Sequence, residues 1–406
     1  MSNLRIVKGG VCSARGFRAA GVAAEIKYKG RNDVALIVAD CPCSAAAVFT
    51  TNKVAAAPVL YDREIVKGGK VQAILANSGC ANACTGEQGL KDAKLSALVT
   101  AGELGVNPKH VLVASTGVIG RPLPMDRLLA GLKSAAKKLG RTPQHGLAAE
   151  QAVMTTDTRP KQACVTTTIN GKKVTVGGMS KGSGMIEPNM ATMLGFITTD
   201  AAVSPRMLKR ALLLAINKSF NRLVVDGDES TNDSVFLLAS GCAGNQPIVS
   251  GGREFEAFRE ALEAVCVSLA RQMAMDGEGA TKFVTVTVRG ARSEKDAARA
   301  ARAVAKSPLA KTSWFGKDPN WGRVLAAVGY SGADVIDMKA EVFYDGVWAF
   351  RRGQVADVAQ LKKLEKVLKK NAFEVVVALH LGSAESSIYT CDFSLDYVHI
   401  NADYTT

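Results

Sequence analysis

Hydrophobic and polar positions follow two different periods along the chain, and together these periods predict a mixed α/β protein. Residues 283–288 alternate apolar and polar side chains, which is typical of a strand with one covered face. Residues 255–273 carry Phe255, Phe258, Leu262, Val265, Leu269 and Met273 at helical spacing, which indicates a helix with one apolar face. Strands are predicted at 71–76, 111–114, 194–199, 222–225, 234–239, 283–288 and 374–379. Helices are predicted at 90–104, 128–136, 205–216, 255–273, 294–306 and 358–370, and Gly140 suits the stop of the second helix.

Length and composition favour a globular enzyme. The 406 residues predict two domains or one large layered unit. No segment approaches the roughly 18 consecutive apolar residues that a membrane span requires, and the first ten residues do not favour a secretory signal. We therefore expect a cytoplasmic protein without a membrane partner. The nine cysteines are scattered and lack paired finger-like spacing, which favours reduced, packed thiols and no metal site.

The formal net charge of +14 raises the alternative of a nucleic-acid binder. The densest lysine cluster argues against it, because its lysines alternate with Leu361, Leu364 and Leu368 as on the solvated face of an amphipathic helix. No aromatic residues are interleaved for base stacking. We expect no nucleic-acid partner, and the positive field is instead suited to attracting small anionic substrates.

The segment from Lys181 to Leu194 contains the strongest candidate chemistry. Its glycines at 182 and 184 and its proline at 188 predict a shaped loop before the strand at 194–199. A hydroxyl at Thr192 is suited to attack the carbonyl of Ala191, and hydrolysis of the resulting ester would expose a new N-terminus. The freed α-amine, with an ordinary pKa of about 7.7 to 8.0, would then serve as base for the hydroxyl beside it.

Two further segments supply candidate polar groups. Thr116 and Gly117 follow a predicted strand, where a hydroxyl and a backbone amide can point together at an oxyanion; an ordinary turn has the same pattern. Lys181 precedes its glycines, so the segment is not a phosphate-binding loop of the Walker type. A carboxylate such as Glu278 can hold an ammonium group, and Lys181 can hold a carboxylate.

The chain resembles the ornithine acetyltransferase family, also called the bifunctional glutamate N-acetyltransferases of arginine biosynthesis. Eight blocks carry the resemblance and span nearly the full length: 77–86, 115–120, 154–158, 181–194, 225–233, 276–282, 318–323 and 399–406. The resemblance implies a layered sandwich of mixed sheets and helices with a smaller C-terminal region. It also implies self-cleavage between Ala191 and Thr192 into an α chain of residues 1–191 and a β chain of residues 192–406, which assemble as a heterotetramer.

The resemblance also implies roles for individual residues. Thr192 would be the nucleophile, and Thr116 with Gly117 the oxyanion site. Substrate contacts would come from Thr155, Lys181, Thr192, Glu278, Asn401 and Thr406. The implied reaction moves acetyl from N2-acetylornithine to glutamate through an acetyl-threonine, without a cofactor, and some members also use acetyl-CoA as donor. The alternatives are an N-terminal threonine amidohydrolase and a cleaved, inactive binding protein for small amino acids.

Overall fold

The computed structural model describes residues 4–187 and 193–403, so the predicted site residues Ala191, Thr192 and Thr406 lie outside the described residues. Within these ranges the chain has a mixed α/β fold with two mixed sheets. The strands are β1 Arg5–Val7, β2 Phe17–Val22, β3 Val34–Phe49, β4 Lys70–Asn77, β5 Val111–Ser115, β6 Lys161–Ile169, β7 Lys172–Lys181, β8 Leu194–Thr199, β9 Ser234–Ala239, β10 Phe283–Ala291, β11 Glu341–Tyr344, β12 Val347–Arg351, β13 Gln354–Val355, β14 Ala372–Ala378 and β15 Ala384–Cys391. The helices are α1 Ala57–Ile65, α2 Gly86–Leu104, α3 Met125–Lys137, α4 Pro143–Val153, α5 Pro205–Lys218, α6 Arg253–Met275, α7 Glu294–Lys306, α8 Pro308–Phe315, α9 Trp321–Gly329, α10 Val358–Leu368 and α11 Leu395–Asp403.

The larger sheet has the strand order β1-β6-β7-β8-β9-β3-β4-β5, and β2 also pairs with β3. The pairs β8–β9 and β4–β5 are parallel, and the other neighbours are antiparallel. Strand β3 is long enough to pair with β4 and β2 through its first half and with β9 through its second half. It therefore joins the two halves of the sheet.

Both faces of this sheet are covered by helices. Side chains alternate across a strand, so Ile197 and Leu237 face α5 and α6, while Phe196 and Phe236 face the opposite side, where α4 packs. Strands buried on both faces are mostly apolar, and every residue of β8 and β9 is buried. Burying each large apolar side chain contributes about 1.5–3 kcal/mol. The expected layered sandwich is confirmed.

The C-terminal region forms the smaller second sheet, with order β13-β12-β11-β14-β10-β15. Helix α7 packs on β10 and β15 through a row of alanines and Val304, and the fully buried Trp314 completes this core. The small alanine side chains allow the helix to approach the sheet closely. Contacts between α6 and β15 join this unit to the larger one.

Most of the elements expected from the sequence are present, and three details are wrong. The expected strand at 222–225 is absent: the backbone N–H groups of Arg222 and Leu223 bond to residues three positions earlier, at 2.9 and 3.0 Å, so they are not available for a ladder. Helix α10 ends at Leu368 and buries Leu364 and Leu368, whereas Leu361 is exposed. Helix α3 ends at Lys137, before the expected glycine stop.

Candidate active site

A polar pocket lies where β5, β7 and β8 meet the loop after α6 and the last helix. It encloses about 770 Å³, including its open mouth, and its walls come from both halves of the chain. Six of the site residues expected from the sequence line it: Thr116, Gly117, Thr155, Lys181, Glu278 and Asn401. The structure therefore brings together residues that are as far as 285 positions apart in the sequence, counting from Thr116 to Asn401.

Lys181 is the last residue of β7 and lies opposite Leu194 of β8, directly beside the pocket. Its Nζ donates hydrogen bonds to Thr155 Oγ1 at 2.9 Å and to Thr116 Oγ1 at 3.3 Å. An ammonium group has three N–H donors, so these two bonds leave one donor for a ligand. Because both threonine oxygens accept from Lys181, their own hydroxyl protons point elsewhere.

Thr116 and Gly117 form a tight turn at the end of β5. The Thr116 N–H bonds to the Asn77 carbonyl at 3.0 Å, which fixes this turn against the end of β4. Gly117 has φ +127°, and a Cβ there would lie 2.5 Å from the backbone carbon of Gly79. Only glycine allows both this conformation and this close approach.

The polar side chain of Asn232 braces the same turn from the neighbouring loop. Its Nδ2 donates to the carbonyls of Ala81 at 2.6 Å and Ser115 at 2.8 Å. Asn232 is buried and also lines the pocket. The turn is thus held by hydrogen bonds from two sides, which suits a site that must present donors in a fixed geometry.

Glu278 faces the pocket from the loop that follows α6. Its backbone N–H bonds to the Ser183 carbonyl at 3.0 Å, and its Oε2 accepts from Asn401 Nδ2 of α11 at 2.8 Å. A Cβ at Gly184 would come within 3.0 Å of the Glu278 carboxylate, so any other residue there would displace this side chain. Helix α11 was not expected from the sequence, and it brings Asn401 to the pocket.

Sequence reasoning did not single out Asp157, although it lies within the 154–158 block. Its fully buried carboxylate accepts hydrogen bonds from the backbone N–H groups of Thr155 at 3.0 Å and Gly182 at 2.8 Å, and from Lys161 Nζ at 2.7 Å. Burial acts to raise the pKa of Asp157, but the Lys181 and Lys161 ammonium groups outweigh it and hold this pKa below its ordinary value.

Burial shifts the pKa values of Lys181 and Asp233, two residues of the pocket, in opposite directions. Burial lowers the pKa of Lys181, and the negative charge of Asp157 opposes that shift most strongly. Asp233 lines the pocket, is 2 % exposed, and has a pKa raised well above its ordinary value by burial. The pocket thus pairs a cationic Lys181 with a carboxyl group that tends to keep its proton.

The chain on both sides of residues 188–192 is anchored beside this pocket. Asp226 accepts the backbone N–H groups of Met185 at 2.6 Å and Ile186 at 2.8 Å. Glu187 donates its N–H to the Asp228 carbonyl and forms ion pairs with Arg302 and Lys306. On the other side, Met193 and Leu194 line the pocket.

Two negative findings complete the description. Among residues 4–187 and 193–403, no group of three or more His, Cys, Asp or Glu side chains is arranged to hold a metal ion. All nine cysteines lie within these residues and are free thiols. Over the same described part of the chain, no helix has both the length and the apolar character needed to cross a membrane.

The structure defines an α/β protein whose pocket, among the described residues, is lined by the Lys181 ammonium, the carboxyl groups of Asp233 and Glu278 and the Thr116–Gly117 turn. The chain belongs to the ArgJ family, whose model matches residues 18–406. It is 52% identical over 395 residues to the arginine biosynthesis bifunctional protein ArgJ of Geobacter sulfurreducens, covering 97% of this chain and 100% of the relative. It is 45% identical over 414 residues to the glutamate N-acetyltransferase of Methanocaldococcus jannaschii, covering 99% and 100% of the two chains.

Solved structures of two similar proteins also match. An ArgJ chain from Bacillus halodurans is 46% identical with a TM-score of 0.46, and the match covers 47% of this chain and 100% of that one. An ornithine acetyltransferase from Mycobacterium tuberculosis, solved in complex with ornithine, is 42% identical with a TM-score of 0.44 and the same coverage.

Proposed function

We propose that this chain is an acetyltransferase of arginine biosynthesis, which moves acetyl from N2-acetylornithine to glutamate. The observation that carries this proposal is the juxtaposition of the Lys181 ammonium, the Glu278 carboxylate and the Thr116–Gly117 turn around one pocket. Both the donor and the acceptor carry a carboxylate, and the donor also carries a side-chain ammonium. The names of the family relatives point to the same reaction.

In this proposal the two charged residues orient the substrate. The remaining N–H donor of Lys181 binds a substrate carboxylate, and Thr155, which Lys181 contacts at 2.9 Å, shares this contact. Glu278 accepts one hydrogen bond from Asn401 and binds the ornithine side-chain ammonium with its other oxygen. We also propose Thr406 as a substrate contact, in addition to Asn401, which lines the pocket.

The Thr116 hydroxyl and the Gly117 backbone N–H form the proposed oxyanion site. Because Thr116 Oγ1 accepts from Lys181 at 3.3 Å, its own proton is free to donate to the oxygen that develops charge. The nearby Lys181 charge adds to this stabilisation. Preorganised donors of this kind contribute several kcal/mol to acyl transfer, about 2.7–4 kcal/mol for one donor.

The proposed nucleophile is the hydroxyl of Thr192, which must first become an N-terminus. Its Oγ attacks the Ala191 carbonyl carbon, the C–N bond breaks, and water hydrolyses the ester to give the Ala191 carboxylate and the free Thr192 amine. The products are an α chain of residues 1–191 and a β chain of residues 192–406. The anchored residues on both sides of 188–192 support this position for the cut.

Transfer then follows in two displacements. The Thr192 amine takes the hydroxyl proton while Oγ attacks the acetyl carbon, and the amide C–N bond breaks as ornithine leaves with that proton. The glutamate amine next attacks the acetyl carbon of the ester and gives up a proton to the Thr192 amine, the C–O bond breaks, and this proton passes to Oγ. Neither step needs a cofactor. Acetyl-CoA is a second proposed donor for the same ester, and we propose that the cut chains work as a cytoplasmic heterotetramer.

The test combines intact-mass analysis with an acetyl-transfer assay on the purified protein. The parent should give two fragments of nearly equal length and label N-acetylglutamate from radiolabelled glutamate. Thr192→Ala should remain one chain and transfer no acetyl. Thr312→Ala, which removes an exposed hydroxyl that bonds to Pro308, Leu309 and Arg323 outside the pocket, is the matched control and should behave as the parent.

Other results would contradict the proposal in distinct ways. An uncut parent with full activity would exclude the N-terminal threonine mechanism. Release of free acetate without acetylglutamate would instead identify an N-terminal threonine amidohydrolase. Binding of ornithine by a cut protein that shows no turnover would identify an amino-acid binding protein.

A further inference from the structure

Four buried charged groups form a cluster behind the wall of the pocket. Lys161 Nζ donates to Asp157 Oδ1 at 2.7 Å and to Asp276 Oδ2 at 2.6 Å, and all three side chains are essentially inaccessible to solvent. Lys181 Nζ lies 4.0 Å from Asp157 Oδ2 and is the member that reaches the pocket. The exposed Arg159 adds a further positive charge at the edge of this cluster, with its Nε 3.5 Å from Asp276 Oδ1.

Within this cluster, Asp157 makes the most contacts with residues that line the pocket. Its two oxygens accept from the N–H groups of Thr155 and Gly182, and the same carboxylate lies beside the Lys181 ammonium. Thr155 and Lys181 both line the pocket, whereas Asp157 itself does not. A fully buried carboxylate is costly unless it is paired, so its contacts are held in a narrow geometry.

Asp276 ties the same cluster to the opposite wall. Its backbone carbonyl accepts from Ser183 Oγ at 2.5 Å, and the Ser183 carbonyl in turn accepts the Glu278 N–H at 3.0 Å. The side chain of Asp276 also accepts the Thr158 N–H at 3.1 Å. The bridge from Asp157 through Lys161 to Asp276 therefore links the wall that carries Lys181 to the loop that carries Glu278.

We propose that Asp157 is a positioning residue that keeps Lys181 charged and aimed into the pocket, with Lys161 as the counter-ion that sets how strongly it does so. This inference rests on the proposed function, because it assigns Lys181 the task of binding the ligand carboxylate. It assigns Asp157 no contact with the substrate.

Asp157 and Lys161 should shift the pKa of Lys181 in opposite directions. Asp157 and Glu278 favour the protonated form of Lys181, as Asp233 does when it is ionised, whereas Lys161 disfavours that form. Removing the Asp157 charge therefore lowers the pKa of Lys181 further. Removing the Lys161 charge raises that pKa. Since Lys181 loses its proton as pH rises, a lower pKa moves the loss of ligand binding to lower pH.

Calorimetric titration of the purified, full-length protein with ornithine between about pH 6 and pH 10 tests this directly. Asp157→Asn should weaken binding at neutral pH by about tenfold or more, the loss expected when a group that orients a charged hydrogen bond is removed. It should also move the alkaline loss of binding down by about one pH unit or more. Lys161→Gln should move that loss upward.

Asp200→Asn is the matched control. Asp200 is equally buried, accepts a backbone N–H from Thr175 at 2.7 Å and pairs with Arg15, but it follows the opposite end of β8 from the pocket. It should leave the binding profile unchanged whatever it does to thermal stability. The titration of ornithine itself is common to all variants, so each profile is compared with that of the parent.

The possible results separate the two proposals. The inference is overturned if Asp157→Asn binds ornithine as the parent does. It is also overturned if Asp157→Asn and Lys161→Gln move the alkaline loss of binding in the same direction. If Asp157→Asn does not fold, an unchanged Lys161→Gln profile overturns it and an upward shift supports it. Opposite shifts in a protein that transfers no acetyl would support the inference while contradicting the proposed function. A parent that does not bind ornithine would contradict both.

Discussion

Replacing Gly117 by alanine probes the proposed oxyanion site with a single methyl group. Gly117 has φ +127°, and the added Cβ would lie 2.5 Å from the Gly79 carbonyl carbon and 2.7 Å from the Cys80 nitrogen. Both neighbours are backbone atoms, so neither can rotate away as a side chain would. The turn must therefore open until these pairs reach ordinary contact distances of 3.4 Å or more.

The magnitude follows from two separate costs. A non-glycine residue in this region of φ costs about 1–3 kcal/mol, and the overpacking adds about 1–3 kcal/mol. Relief of the contact displaces the Gly117 N–H and the Thr116 hydroxyl, and a 1 Å misplacement of a transition-state contact can reduce the rate by about 100-fold. Loss of one oxyanion donor reduces kcat by about 100-fold to 1,000-fold. We therefore expect kcat for acetyl transfer to fall by about 100-fold or more.

Gly120→Ala isolates the effect of the close approach. Gly120 lies in the same loop with φ +78°, and a Cβ there meets nothing within 4 Å. Both variants add a methyl group at positive φ, so both should lower the midpoint of thermal unfolding. Only Gly117→Ala should lose acetyl transfer from N2-acetylornithine to labelled glutamate. Equal activity in the two variants would refute the proposal that the turn holds the oxyanion donors.

Two further predictions concern the loop before the proposed cut and the C-terminal helix. Asp226→Asn should slow self-cleavage severalfold on an intact-mass time course, because Asp226 accepts the successive backbone N–H groups of Met185 and Ile186. The control Asp228→Asn changes an exposed side chain and should be cleaved at the parental rate. Equal cleavage rates in the two variants would contradict this role of Asp226. Asn401→Leu should raise the KM for N2-acetylornithine by about tenfold with little change in kcat, because the hydrogen bond from Asn401 to Glu278 at 2.8 Å orients the Glu278 carboxylate. A fall in kcat at constant KM would contradict this orienting role.

The periodic segments of the fold were predictable from the sequence, and the irregular ones were not. Helix α7 begins and ends where its pattern indicates, because a charged face and a row of alanines repeat at helical spacing. Strand β3 was not predicted, since three exposed residues, Asp40, Cys41 and Pro42, interrupt its apolar run. In the structure, the pairing of β3 with β4 shifts register between Val38 and Cys43, and β9 pairs with β3 from Ser44 onward, beyond the last β2 pair at Ala39.

The candidate site shows the same division. Residues that carry recognisable chemistry, such as Lys181 and Glu278, could be listed from the sequence, and the pocket brings them together. The buried partners could not be listed, because Asp157 and Lys161 are functional only through contacts with residues distant in the chain. A sequence pattern gives the type of a charged residue, whereas its role depends on burial and on which charges surround it.

The walls of the pocket come from both sides of the proposed cut. Cleavage is therefore compatible with activity only if the two products stay together. Lys181 and Thr116 belong to residues 1–191, whereas Glu278 and Asn401 belong to residues 192–406, so the two products must remain assembled to bind a ligand. The sheet provides for this, because β7 and β8 flank the cut and pair from Lys181 with Leu194 to Val176 with Thr199. Breaking the chain in the connection removes no pair of this ladder. Separation of the products would expose the core shared by β6, β7, β8, α5 and α6, where burial contributes about 1.5–3 kcal/mol for each large apolar side chain. The fold can therefore release a new N-terminus at the pocket while the packing that shapes the pocket stays intact.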